Sequence, residues 1–208
     1  MCGFAGFFST DICDESILRL MIAKLDHRGP DDQGVWSDAN LGIGMAHARL
    51  SILDLSPAGH QPMLSASDRY VISFNGEIYN HPALRAELEK DGLAPNWRGN
   101  SDTETILAGF DSWGIEATAT KMVGMFAFAV WDKTSREITL LRDRMGEKPL
   151  YYGWQGNTFL FASELKALKV HPSFNSEVDR NALATFMRHG YIPAPMSIYK
   201  EIHKLPAG

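Results

Sequence analysis

The sequence predicts an α+β fold in which two β-sheets lie inside and helices cover them. Strand-like runs outnumber helix-like ones, and the helical patterns fall early, middle and late along the chain. The runs around Phe126 and Leu140 are apolar on both alternating faces, so each needs cover on two sides. With 208 residues, 45% of them hydrophobic, one large domain can build this core without metals or disulfides.

The elements follow in order. Residues 3–8 read as a first strand. Asp14 then caps a helix in which Ile17, Leu18, Met21, Ile22 and Leu25 recur at helical spacing. His27-Arg28-Gly29-Pro30-Asp31-Asp32 is turn chemistry. Strand-like runs at 41–53 and 70–75 flank a loop rich in Pro, Gly and Ser. Pro82 suits the first helical position of a segment reaching Lys90. Ser101-Asp102-Thr103-Glu104 has the spacing of a capping box and opens a helix through Ile106, Leu107 and Phe110. Strands are predicted at 123–131, 137–142 and 158–162. Asp179 caps a last helix ending near Gly190, and the Pro- and Gly-punctuated stretch from Tyr191 reads as a connector. Its last four residues, Leu-Pro-Ala-Gly, read as a stop in mid-connection.

Charge narrows the partners. Lys+Arg is 20 against Asp+Glu 25, so neither nucleic acid nor an anionic membrane is an expected partner. The longest apolar run, Met122 to Trp131, is ten residues, half a membrane span, and reads as a buried strand. No basic segment opens the chain, since the first Lys or Arg is Arg19; a secretory leader is not expected and a reduced, cytoplasmic enzyme is. Cys2 and Cys13 make no metal site unaided, and a disulfide between them would block Cys2.

Position 2 carries the chemistry. Small second residues permit removal of the initiator Met, after which Cys2 holds both a thiol and a free α-amine. Their reference pKa values, about 8.5 and 7.7–8, are close enough for the amine to take the thiol proton and return it to a leaving group. For a lone Cys a small buried strand residue is the commoner reading, but Gly-Phe-Ala-Gly directly after it lets a substrate approach the backbone. A thiol nucleophile needs oxyanion donors. The Asn75 side chain and the Gly76 N–H are suitable, although on the pair alone a hairpin turn is preferred. Arg49 is a carboxylate clamp or an ordinary surface ion pair. Glu77 and Asp102 are acceptors for a substrate ammonium, and Asp102 is equally a first-turn acid favouring the helix dipole. Together these groups describe a pocket for a zwitterionic amino acid bearing a carboxamide. His27 and His60 read as loop hydrogen-bonding residues, and Cys13 as a structural or exposed thiol.

Longer motifs sharpen this. Met-Cys-Gly-Phe-Ala-Gly, His27-Arg28-Gly29-Pro30-Asp31, Ala48-Arg49-Leu50-Ser51-Ile52, Gly59-His60-Gln61-Pro62-Met63 and Asn75-Gly76-Glu77-Ile78-Tyr79-Asn80 resemble class II glutamine amidotransferases. So do Ser101-Asp102-Thr103-Glu104, Arg142-Asp143-Arg144-x-Gly146-x-Lys148-Pro149-Leu150-Tyr151-Tyr152 and Ser163-Glu164-Leu165-Lys166-Ala167-Leu168. Within that class they are similar to the glutaminase domain of glutamine-hydrolysing asparagine synthetases.

The resemblance implies an N-terminal-nucleophile hydrolase fold, a four-layer αββα sandwich of two antiparallel sheets, over residues 1–190. It implies Cys2 as nucleophile, with its own amine as base and Asn75 and Gly76 as oxyanion hole. It places the glutamine carboxylate on Arg49, the backbone of Leu50, Ser51, Ile52 and Leu53 along the site, and the glutamine amine on Glu77 and Asp102. No metal or cofactor is expected in this unit. ATP and Mg belong to a C-terminal synthetase domain, whose Ser-Gly-Gly-x-Asp-Ser loop does not occur here, and residues 191–208 resemble the passage before it. L-glutamine, that domain and a second copy of the chain are the implied partners. Met145 and Glu147 stand where many asparagine synthetases have Phe and Ile, which leaves the acceptor open between aspartate and other carboxylates such as sugar acids. A glutaminase half of another amidotransferase and a catalytically silent module of the same fold are the competing readings.

Overall fold

In the structure, a computed structural model that describes residues 1–10 and 13–208, β1 (Gly3–Ser9) shows how the layers arise. Alternate side chains leave opposite faces of a strand. Ala5 and Phe7 pack with Ile17, Leu18, Met21 and Ile22 of α1 (Glu15–Ala23), whereas Phe4 joins Val71, Ala127 and Trp131 from a second sheet. α1 starts where expected, the Asp14 carboxylate accepting from Ser16 N at 2.8 Å.

The first sheet has six strands in the order β10 (Ile202–Lys204), β8 (Tyr151–Gln155), β9 (Thr158–Ala162), β1, β3 (Ile43–Arg49) and β2 (Asp32–Asp38). The second has four: β4 (Met63–Leu64), β5 (Tyr70–Ile78), β6 (Gly124–Asp132) and β7 (Glu137–Arg142). All neighbours are antiparallel. α1 and α5 (Leu165–Leu168) cover the first sheet. α2 (His81–Lys90) and α3 (Asp102–Trp113) cover the second through Leu84, Ile106, Leu107 and Phe110, which meet Ile72, Phe74, Phe128 and Val130. α4 (Ile115–Lys121) follows α3, and α6 (Arg180–His189) is capped by Asp179 and closed by Gly190 at φ +77°. Four layers result, helix–sheet–sheet–helix. Burying one side chain the size of Phe128 contributes about 1.5–3 kcal/mol.

Three departures from the sequence reading matter. β5 runs through Asn75 and Gly76, which pair with Ala127 and Phe126 of β6, so the pair is not a hairpin turn. β3 stops at Arg49 rather than 53. The stretch from Tyr191 carries β10, whose Ile202 is buried against the first sheet. β2, β8 and α4 were not predicted either. β2 is a polar edge strand, β8 (Tyr-Tyr-Gly-Trp-Gln) is interrupted by Gly153, and β10 is three residues long.

Candidate active site

Alternation also builds the site. The face of β3 that buries Ile43 and Met45 between the sheets carries His47 and Arg49 farther along. The face of β5 that buries Val71 carries Ser73, Asn75 and Glu77, and Cys2 shares its side of the chain with Phe4. At one end of the inter-sheet layer, apolar side chains therefore give way to Cys2, Arg49, Asn75 and Glu77. Asp102, at the start of α3, closes the group. These five line one small cleft of about 90 Å³ with Leu50, Ile52, Leu53 and Gly76. Ser51 is the one expected site residue that does not line it; its N–H is bound to Asp31 Oδ2 at 2.8 Å.

The Cys2 thiol lies against Leu50, accepting from its N–H at 3.3 Å and donating to its carbonyl at 3.5 Å. Burial pushes the thiol pKa up; the Leu50 N–H, the N-terminal ammonium and Arg49 oppose this. The Cys2 carbonyl accepts from Arg28 Nε at 2.8 Å. The Asn75 amide orientation that satisfies both its ends puts Nδ2 2.9 Å from that same carbonyl and Oδ1 3.3 Å from Arg28 Nη2. One Asn75 N–H is thus spent on holding Cys2, and the other is left for the cleft.

Arg28 and Glu164 are structural neighbours of the site that the reading of single residues missed. Arg28 is buried and donates to Glu164 at 2.8 Å, with His27 and Lys166 on the same carboxylate. Burial pushes Glu164 up, but these three partners outweigh it and hold the carboxyl below its usual value. Both residues sit in motifs, yet 136 positions separate them, and no local pattern announces the pair.

The free edge of β5 supplies backbone donors. Phe74 N donates to Gln61 Oε1 at 2.7 Å and Ile78 N to Asp102 Oδ2 at 3.0 Å. Gly76, midway between them in the pleat, directs its N–H to the same side, where the cleft opens. A Cβ at Gly76 would collide with Met125 O and Phe126 on β6, so the close pairing of the strands needs glycine there. Asp102 also accepts from Thr103 N at 2.8 Å, and burial pushes its carboxyl up against the pull of the Ile78 N–H. Only half of the predicted capping box forms. Ser101 Oγ accepts from Glu104 N at 3.2 Å, but the Glu104 carboxylate turns to Arg98 N and Gly99 N.

Arg49 is buried and makes no ion pair among the described residues, so it is not a surface salt-bridge arginine. Its guanidinium donates to the carbonyls of Ser56, at 3.1 Å, and Asp54, and a Cβ at Gly59 would run into Nη2. Its remaining N–H groups are available to an anion in the cleft. His27 and His60 make the loop contacts expected, to Glu164 and to Asp32 at 2.6 Å. Both cysteines are free. Among the described residues no group of three His, Cys, Asp or Glu is placed to hold a metal, and no helix is long and apolar enough to cross a membrane.

The pattern defining the glutamine amidotransferase domain matches residues 1–208. The chain belongs to that family. It is 38% identical over its whole length to a putative glutamine-hydrolysing asparagine synthetase of Methanocaldococcus jannaschii, covering 43% of that protein. It is 39% identical, again along the whole chain, to asparagine synthetase 1 of Bacillus subtilis, covering 33% of it. The chain thus spans less than half the length of these curated relatives. Glutamine phosphoribosylpyrophosphate amidotransferase from B. subtilis superposes on 81% of this chain and 43% of its own, with a TM-score of 0.70 at 20% identity. That likeness shows the fold: two antiparallel sheets sandwiched between helices, as the motifs implied.

Proposed function

We propose that this domain hydrolyses L-glutamine to L-glutamate and ammonia through a γ-glutamyl thioester on Cys2. After removal of Met1 the Cys2 α-amine takes the Sγ proton, and the sulfur attacks the γ-carbonyl carbon. The oxyanion is held by the second Asn75 Nδ2–H and the Gly76 N–H. The protonated amine passes its proton to the departing ammonia and leaves the thioester. Water then attacks with the amine again as base, glutamate departs, and Cys2 regains its proton. Arg49 takes the glutamine carboxylate, Glu77 and Asp102 its ammonium, and the main chain of residues 50–53 borders the substrate.

The observation that carries this reading is the convergence of Cys2, Asn75 and the Gly76 edge in one cleft. Its test is Cys2→Ala, which is expected to abolish ammonia release from glutamine and leave the thermal midpoint nearly unchanged. Full activity in that variant overturns the nucleophile. An active protein whose intact mass includes Met1 overturns the amine as base.

In the full-length protein we propose residues 1–190 as the glutaminase unit, with β10 from the 191–208 stretch completing its first sheet before that stretch leads into a C-terminal domain that uses the ammonia in an ATP- and Mg-dependent amidation. The printed names of the relatives support asparagine synthesis as that reaction. The glutaminase chemistry itself uses only this chain's own groups. The same reading places the protein in the cytoplasm and includes assembly with a second copy, which mass in solution tests.

A further inference from the structure

Among the described residues, Lys148 is a buried side chain with no ion-pair partner. It lines the cleft and is 6% exposed, and among the described residues its Nζ has a single polar partner, the Met1 thioether at 3.3 Å. A buried ammonium held only by a sulfur is costly, so its place has to be enforced by its surroundings. The loop after β7 enforces it. The Asp143 carboxylate accepts from the backbone N–H of Phe126, Met145, Glu147 and Lys148 at 3.0–3.2 Å, and Arg142 Nε donates to the Lys148 carbonyl at 2.6 Å.

We infer that Lys148 is a positioning residue for the nucleophile: with Met1 removed, its charge faces the Cys2 α-amine and keeps that amine in the neutral form that accepts the thiol proton. The inference rests on the Cys2 thioester reading above. It also gives the Met1 contact a meaning, because a retained methionine lays a neutral thioether over the charge and occupies the amine.

Charged side chains reach or flank the cleft from several elements. Arg28 from the turn after α1 is matched by Glu164. Arg49 from β3, with Asp54 beyond it, is placed to meet a carboxylate, and Glu77 from β5 with Asp102 from α3 an ammonium. Among the described residues Lys148 has no such counterpart, and a bound glutamine whose carboxylate lies on Arg49 supplies none. A like charge nearby disfavours the ammonium form, so losing it lets the amine hold its proton to higher pH.

The test is kcat/KM for glutamine against pH, on Met1-free protein verified by intact mass, for the parent chain, Lys148→Met and Lys148→Arg. The acid limb is expected to move up by about one pH unit in Lys148→Met and to return in Lys148→Arg. A lowered plateau with an unmoved limb overturns the inference, because a purely structural prop gives that result. Should Lys148→Met not fold, Lys148→Gln poses the same question, and the pH dependence of N-terminal amine acylation on the folded protein answers it without turnover. Glutaminase activity retained in Cys2→Ala would instead overturn the reading beneath it, and the two failures are distinguishable.

Discussion

An aspartate stands at the start of both α3 and α6, as the first residue of one and the cap of the other, and the two first turns meet different surroundings. Asp179 caps α6 by accepting from Asn181 N at 2.8 Å and Ala182 N at 3.3 Å, and Ala182 is the only residue that helix buries. α3 leaves its cap to Ser101 and buries every residue from Asp102 to Phe110. Asp102 sends one oxygen out of the helix to Ile78 N, so the start of α3 is tied to the strand that carries Asn75 and Gly76. An acid whose oxygens serve its own helix in water is there for stability. An acid buried between a strand edge and a cleft carries a desolvation cost that a bound ammonium can offset, which supports the proposal that Asp102 receives the substrate ammonium.

The largest effect expected along this contrast belongs to the strand that α3 braces. Asn75→Ala removes the proposed oxyanion donor and one of the two groups holding the Cys2 carbonyl; kcat is expected to fall about 10²–10³-fold. A change confined to KM would show that Asn75 only binds substrate. Asp102→Asn comes next, with KM for glutamine rising about 10–10²-fold for a lost charged hydrogen bond and kcat little altered. The pH dependence has a definite sign. Burial raises the Asp102 pKa, so on acidification it takes up its proton before an ordinary aspartate does, and the ammonium site is lost. KM in the parent chain should therefore climb as pH falls, beginning above the usual aspartate range. A flat KM across that range would remove Asp102 from the site.

The same contrast marks what was legible in the sequence. The caps at Asp14, Ser101 and Asp179 were readable because capping needs only local spacing, and each is present. The layers were readable from two-sided apolar runs such as Phe126 to Trp131. Asn75-Gly76 was misleading by itself because the dipeptide's local propensity favours a turn over a strand. What decides is its partner, Ala127 and Phe126, some 50 residues away. The motif resemblance placed Asn75 correctly in the cleft where propensity favoured a turn. Arg28–Glu164 and Lys148–Met1 are contacts across 136 and 147 positions, and no periodicity reaches that far. Ser51 shows a limit of another kind: a motif names a whole stretch, and of that stretch Leu50, Ile52 and Leu53 line the cleft while the Ser51 N–H is bound to Asp31.

The smallest expected effect completes the contrast. Asp179→Ala removes the side-chain acceptor for the first amides of α6, and such caps are worth about 1 kcal/mol. Nothing in α6 lines the cleft, so ammonia release from glutamine should keep its kcat and KM while the urea midpoint falls at unchanged m-value. Asp179→Ser, which keeps an acceptor at the cap, should recover most of the loss. If Asp179→Ala instead impaired turnover as Asp102→Asn does, burial would no longer separate the two aspartates, and the α6 face would have to be counted as part of the working site.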